Sequence, residues 1–424
     1  MTYLDRSKAP DFQIPEHIEL IKPEKRTLKN GVPLYFIPTP EIDAIKLEVI
    51  TASNKQMLSE EDSLVPFFTL HMLLEGTKEM NSSQLDGFFD HYASEIDIIS
   101  SFEQQGVSLL TTKKHFNKVL PVFRSLLTEA TFPAKELEKR KSQKSLTISI
   151  QLEQNGARAN QLYRKALFGA DHPYGFVAEE RHVNTINADK LKAFYESKFL
   201  LNPEIFVIGN LSELEIESIA ETFGALDIIQ PQITENSFSP WPEKRINELK
   251  EKSVQSSIRL GQHLIPKKHP DYHALTVFNT ILGGYFGSRL IKNIREDKGH
   301  TYGIYSSIGS LEKADYWMVM ADVQKGFADE VIKEVYREIE QLKTTPISKE
   351  EMEIVRNYMI GHFLSNFSNA FDLINRFKNI HFAGLDYDFY EGQLKYFRSF
   401  TPNEIMEVGQ KYFDPKNIIE IVVG

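Results

Sequence analysis

The 424-residue chain contains no cysteine. That excludes a disulfide framework, a Cys-ligated zinc site and a thiol nucleophile. It has no apolar run of the roughly eighteen residues that a spanning helix requires, so no segment is predicted to cross a membrane. It lacks an excess of positive charge. The formal net charge of -10 makes nucleic acid a poor partner, because phosphate binding needs a basic patch. The opening stretch, MTYLDRSKAPDFQIPEH, has no apolar core of a signal peptide. A cytoplasmic protein is therefore expected. No G-x-S-x-G elbow and no G-x-x-x-x-G-K-[ST] loop occur. Gly283–Gly287 is glycine-rich, but no strand precedes it and no lysine follows in phosphate-loop position.

What remains is ordinary globular composition, 41% hydrophobic and 25% charged. The length predicts two domains of ~200 residues each. Two strands are predicted within residues 28–51, around an Asn30-Gly31 turn signal. A helical pattern through 67–74 ends near Gly76, and Ser82-Ser83 is expected to cap the next helix, which carries Leu85, Phe88 and Phe89. Strands around 95–111 are followed by long helical patterns over 115–130 and 134–167, a third over 188–198, and a buried strand at 204–208. The polar, proline-containing stretch 230–252 is expected to be an interdomain linker between units 1–229 and 253–424.

The second half repeats the first. Residues 184–209 and 398–424 share the order of cap, helix, proline and strand, each strand ending in glycine. Ile186, Leu191 and Phe199 fall opposite Phe400, Ile405 and Phe413 at a constant separation of 214 residues. An internal duplication accounts for this. Runs of strands followed by runs of helices predict α+β halves.

The most distinctive segment is GGYFGSRLIKNIREDKGHTY, Gly283 to Tyr302. Gly283-Gly284 follows a helical pattern. Ser288 can cap a following helix that carries Arg295. Thr301–Ser307 alternates as a strand. A helix end folding back into a strand can bring Arg295 and Tyr302 onto one surface. Taken alone, these residues read as an arginine satisfying a helix terminus and a tyrosine with its ring in the core.

The whole segment resembles the C-terminal-half motif of the M16 metallopeptidases (pitrilysin, insulin-degrading enzyme, mitochondrial processing peptidase). The resemblance extends, more weakly, to His71–Thr77, to Asp171–Gly175 and to Asp271–Leu275. It implies two homologous M16-type (LuxS/MPP-like) α+β domains, each an antiparallel sheet with helices packed on one face. It implies substrate-binding roles for Arg295 and Tyr302, with Gly283, Gly284, Ser288 and Arg289 in support. A guanidinium and a phenol both donate to carbonyl oxygens, which suits an extended peptide.

Active members of that family carry H-x-x-E-H on a helix: two histidines four apart bind zinc, and the glutamate between them acts as base. The matching residues here are Phe67, Phe68, Thr69, Leu70 and His71. Phe67 stands for the first histidine and Leu70 for the base, so only His71 remains. The third ligand is expected around 146–148, in a run without a carboxylate, and Glu153 lies beyond that register. No zinc and no catalysis are expected in this chain alone. His269 and His273 are also four apart, but Pro270 marks a helix start and no glutamate accompanies them.

The resemblance thus implies a non-catalytic, peptide-binding subunit. Its partner would be an M16 subunit that carries H-x-x-E-H and supplies the zinc. The alternatives are a structural homologue comparable to respiratory core proteins, or a homodimeric peptide-binding protein.

Overall fold

The computed structural model describes Ser7 and residues 20–53, 55, 58–229, 238–240 and 243–424. The first half builds a six-stranded sheet from β1 (Glu24–Thr27), β2 (Pro33–Pro38), β3 (Ile45–Ala52), β4 (Glu95–Ser100), β5 (Gln104–Thr111) and β6 (Glu204–Gly209), in the order β1-β2-β6-β3-β5-β4. Its helices are α1 (Val65–Met72), α2 (Ser82–His91), α3 (Lys113–Thr128), α4 (Ala134–Glu153), α5 (Asn155–Phe168), α6 (Glu180–Asn184), α7 (Ala188–Phe194) and α8 (Glu213–Gly224).

The second half builds a five-stranded sheet from β7 (Arg245–Glu248), β8 (Gln255–Leu264), β9 (Thr301–Ser310), β10 (Asp315–Gln324) and β11 (Ile419–Val423), in the order β7-β11-β8-β10-β9. Its helices are α9 (Tyr272–Asn279), α10 (Ala328–Thr344), α11 (Lys349–Ser365), α12 (Ala370–His381), α13 (Asp388–Ser399) and α14 (Pro402–Tyr412).

Apart from β1, which has no counterpart, the two sheets match strand for strand. β2 beside β6 and β7 beside β11 are the parallel pairs; the other neighbours run antiparallel. β4 and β9 are then equivalent edge strands. The glycines that close the repeated segments share one conformation, with φ of 144° at Gly209 and 148° at Gly424. A Cβ would sit 2.1 Å from the Ala44 carbonyl oxygen at Gly209 and 2.3 Å from that of Gln255 at Gly424. Only glycine fits either place. The α+β fold with two related halves is therefore what the chain adopts.

Three features differ from the sequence reading. Arg245–Glu248, inside the stretch expected to be a linker, pairs with β11 as an edge strand of the second sheet. Its residues alternate between exposed and half-exposed, so no apolar signal marks them. The other residues of that stretch are described only in part. The single helical pattern over 134–167 is two helices, broken at Gln154, whose ψ of 118° is extended. The capping residue of α2 is Asn81, in a reciprocal capping box with Gln84, rather than the serines that follow.

The break at Gln154 matters for the architecture. α4 packs in the first half, whereas α5 crosses to the second sheet. Ala159, Leu162, Tyr163 and Ala166 of α5 form one apolar cluster with Ile419, Ile421 and Val423 of β11. The exchange is reciprocal. Leu373 and Ile374 of α12 pack on Tyr35, Ile37, Ile50, Phe206 and Ile208 of the first sheet. Each sheet has its own helices on one face and a helix from the other half on the opposite face.

Candidate functional site

The helix α1 begins with Pro66 in its first turn, where a missing N–H costs nothing. Its residues Phe68, Leu70 and Met72 are buried in the first-half core. Leu70, expected in the sequence at the place of a base, is 1% exposed. Phe67 and His71, one turn apart, remain half-buried on the opposite face. Their rings lie 4.1 Å apart between centroids. The Nδ1 of His71 is 2.8 Å from the Phe67 carbonyl, to which it donates. Burial holds the imidazole pKa below its ordinary value, and the charges of Arg140 and Lys144 push in the same direction.

Helix α4 supplies what faces this pair. Ile148 is buried in the core, so no carboxylate stands in the expected register. One turn earlier, Lys144 places its ammonium 4.0 Å from the centre of the Phe67 ring. Another turn back, Arg140 bonds to the buried Glu75 at 2.5–2.6 Å. Glu153 is the last residue of α4 and is exposed. A phenyl ring, a neutral imidazole and an ammonium therefore meet where a metal site would need anionic or lone-pair donors. These residues do not fit zinc. Among the described residues no group of three His, Asp or Glu side chains could hold a metal ion. His273 packs against Phe389, and its pKa is pushed down to about 4 by burial; His269 lies before the start of α9 and accepts from the Asp271 N–H.

In the second half, α9 runs into a wide π turn, Thr280–Gly284, that contains both glycines. A Cβ on Gly283 would lie 2.7 Å from the Ser306 Cβ and 2.8 Å from its backbone nitrogen. The glycine thus lets the turn press against β9. A buried network fixes that contact: the Ser306 hydroxyl donates to Asn279 Oδ1 (2.6 Å), and Trp317 Nε1 donates to the same hydroxyl (2.7 Å). Ser288 is buried and its carbonyl accepts from Lys292, but its side chain makes no cap bond. Arg289 forks onto Glu351 of α11 at 2.9 and 2.8 Å. The support these two give is architectural.

Arg295 and Tyr302 behave differently. Arg295 lies in a second π segment, Ile291–Asp297, with its guanidinium 4.8 Å from the ring centre of Phe286. Gly299, at φ 67°, ends that segment. β9 then starts with a bulge, where Tyr302 and Gly303 together oppose Asp322. The Thr301 hydroxyl, bonded to the Asp322 carbonyl and accepting from the Gly303 N–H, holds the bulge. Bulges re-aim side chains, and Tyr302 stands 90% exposed. A core role for its ring is excluded. Neither side chain has a hydrogen bond or ion pair with any described residue, including each other. Phe286, which the sequence reading passed over, is 67% exposed beside Arg295. Lys144 was also missed, although Arg140, Lys144 and Ile148 share one face at four-residue spacing.

Fold and site together define an α+β protein of two related halves, with an apolar helix α1 that brings no metal-ligand set together among the described residues, and with an arginine and a tyrosine on the other half that form no hydrogen bond or ion pair among them. Comparisons with known proteins agree. Residues 65–170 match the family model described as Insulinase (Peptidase family M16), and residues 185–359 match that of the Peptidase M16 inactive domain. The chain belongs to the M16 peptidase family. It is similar to an uncharacterized zinc protease, YmxG, of Bacillus subtilis, with 22% identity over 83% of this chain and 86% of that protein. It is also similar to the non-peptidase homolog YmxG of Helicobacter pylori, with 21% identity over 86% and 90%. A crystal structure of a peptidase M16 inactive domain from Pseudomonas fluorescens superposes with a TM-score of 0.83 at 22% identity, covering 95% of this chain and 98% of that one. No helix among the described residues is long and apolar enough to cross a membrane.

Proposed function

We propose that this chain is the non-catalytic, peptide-binding subunit of a heterodimeric M16 zinc endopeptidase. Arg295 and Tyr302 bind the backbone of an extended peptide and present it to a partner chain that carries H-x-x-E-H and the zinc. The observation that carries this reading is the state of Tyr302. An exposed phenol on the bulge of an edge strand, like a guanidinium with no acidic partner among the described residues, contributes little to the fold. Both groups are donors suited to peptide carbonyls. The outer edge of β9 is unpaired among the described residues, and an extended chain can add to such an edge. Meanwhile α1 offers no ligand set of its own, so cleavage needs a second chain.

The test is co-expression with a zinc-bearing M16 homologue, followed by peptidase assays of each chain alone and of the complex. Activity is expected only in the complex. Arg295→Ala should lower its turnover by about a hundredfold to a thousandfold, the range for removing one donor to a reacting carbonyl, with assembly unchanged. Chelator-sensitive cleavage by this chain alone, with one bound zinc, would overturn the reading. So would unchanged kinetics in the Arg295→Ala complex.

A further inference from the structure

The chain is acidic overall, yet its first half holds three half-buried cations that form no ion pair among the described residues. Lys144 lies over the ring of Phe67. Lys55 lies 5.8 Å from the ring centre of Phe102, and the guanidinium of Arg164 lies 5.2 Å from the same ring. All three side chains are half-buried, on a loop after β3, on α4 and on α5. None has an ion-pair partner among the described residues. The Lys55 ammonium donates to the Ser101 carbonyl at 2.5 Å, a neutral acceptor.

Their electrostatics agree with that count. The Lys55 pKa is pushed down to about 8, chiefly by burial, with the charges of Arg164 and Lys144 adding to the fall. Glu103 is the acid that opposes this. Its carboxylate also accepts from the Glu312 N–H of the second half at 3.2 Å. Burial alone lowers the Lys144 pKa and leads the lowering at Arg164. Desolvated cations are normally paired, because an unpaired one is costly. Here aromatic faces take the place of carboxylates, stabilising each cation while leaving N–H donors unused. Arg295 on Phe286 repeats the arrangement in the other half.

The position is informative. Phe102 and Glu103 belong to the turn between the edge strand β4 and β5. That turn walls a cleft of about 800 Å³ between the halves, and Gly284, Ser306, Ser307 and Ile308 of the second half line the same cleft. Lys55 and Arg164, over the Phe102 ring, therefore lie next to a wall of this cleft, and Lys144 is close enough for its charge to lower the Lys55 pKa. Lys144 rests on one ring and the other two on another, which makes a track rather than a single point.

We propose that Lys55, Lys144 and Arg164 form a subsite for the carboxylate side chains of an acidic, extended peptide. This rests on the peptide-binding reading above and names its substrate class: segments rich in Asp and Glu. The ammonium of Lys144, standing where an active relative would need a metal, turns a lost catalytic wall into an anion-binding one.

The test uses the full chain and three synthetic unstructured peptides of equal length, followed by calorimetry at low and moderate salt. One carries Asp and Glu, the second has Asn and Gln in their place, and the third carries Lys and Arg. The acidic peptide should bind about tenfold more tightly than its amide counterpart at low salt, with the preference shrinking as salt screens it. Lys144→Gln and Arg164→Gln should each cut the preference by about threefold or more, while Lys144→Arg retains it. Thermal melts of the same variants establish that they fold, and Lys55→Gln provides an independent third. Equal affinity for acidic and amide peptides overturns the subsite and leaves the peptide-binding reading standing. An acidic preference unchanged in all three Gln variants overturns it too. Binding of none of the three peptides overturns both. Complete displacement of the acidic peptide by millimolar inorganic phosphate, but not by equal chloride, reassigns the cations to a small anion and overturns the peptide assignment.

Discussion

The ammonium of Lys144 sits 4.0 Å from the centre of the Phe67 ring, one helix reaching across to another. A cation of the protein's own packs on an aromatic face, and His71 beside it is kept neutral. Reversal by a single residue should therefore fail. Phe67→His restores two histidines at four-residue spacing but leaves Ile148 without a carboxylate and Lys144 repelling a dication. The variant is expected to hold no stoichiometric zinc by metal mass spectrometry after dialysis. Adding Leu70→Glu should make matters worse, because that position is buried and an unpaired carboxylate there costs several kcal/mol, on the order of 3.

The crossing of α12 onto the first sheet depends on a buried charge. Glu48 of β3 is bonded to Lys378 of α12 and lies 3.0 Å from Lys46. Lys378 is buried enough that its pKa falls. Glu48→Leu strands that ammonium and should destabilise the protein by about 3 kcal/mol. Lys378→Met leaves Glu48 with Lys46 and should cost less, about 1 kcal/mol. Urea denaturation gives both values. Hydrogen exchange should locate the loosening in α12 and β3 in the first variant.

These contacts also mark how much was legible beforehand. The duplication was, because Gly209 and Gly424 end matched strands for the same steric reason. So was helix α1, whose apolar pattern through 67–74 marks it. The exchange of α5 and α12 was not. A helical apolar stripe says that a face is buried, but not against which sheet. The break between α4 and α5 had a local signal, Asn155-Gly156, but the surrounding periodicity obscured it. Asn155 bonds to Ser253 and to the Gln255 carbonyl, contacts about a hundred residues away that no window contains. For β7 the four residues are too few and too polar to register. Arg295 and Tyr302 stand out in the sequence only by resemblance, and the bulge that turns Tyr302 outward depends on pairing with β10.

A pH dependence follows from His273. Its pKa in the fold is about 4, lowered by burial, against an unfolded value near 6.5. The unfolded chain thus takes up the proton first. The contribution to stability is present above about pH 6.5 and is lost progressively as pH falls toward 4. Between pH 7.5 and 5.5 this one group should account for a loss of about 1 kcal/mol, after allowing for its partial solvent access. His273→Leu has no proton to accept and should flatten the dependence by that amount in urea midpoints at the two pH values. An unchanged slope would assign the loss to the other buried imidazoles, His71, His172 and His263, whose pKa values are also lowered.

Tyr302 offers the cleanest separation of fold from function. With its ring 90% exposed and its hydroxyl without a partner among the described residues, it contributes little to stability. Tyr302→Ala and Tyr302→Phe should both change unfolding free energy by less than about 0.5 kcal/mol, as exposed substitutions usually do. Their effects on peptide binding should diverge. If the hydroxyl donates to a peptide carbonyl, Phe loses that bond and weakens binding by about 1 kcal/mol, a five- to tenfold change, and Ala loses the ring contact as well. Calorimetry with an unstructured peptide gives both values directly. Wild-type affinity in Tyr302→Ala would remove the tyrosine from the binding surface and leave its exposure without a role.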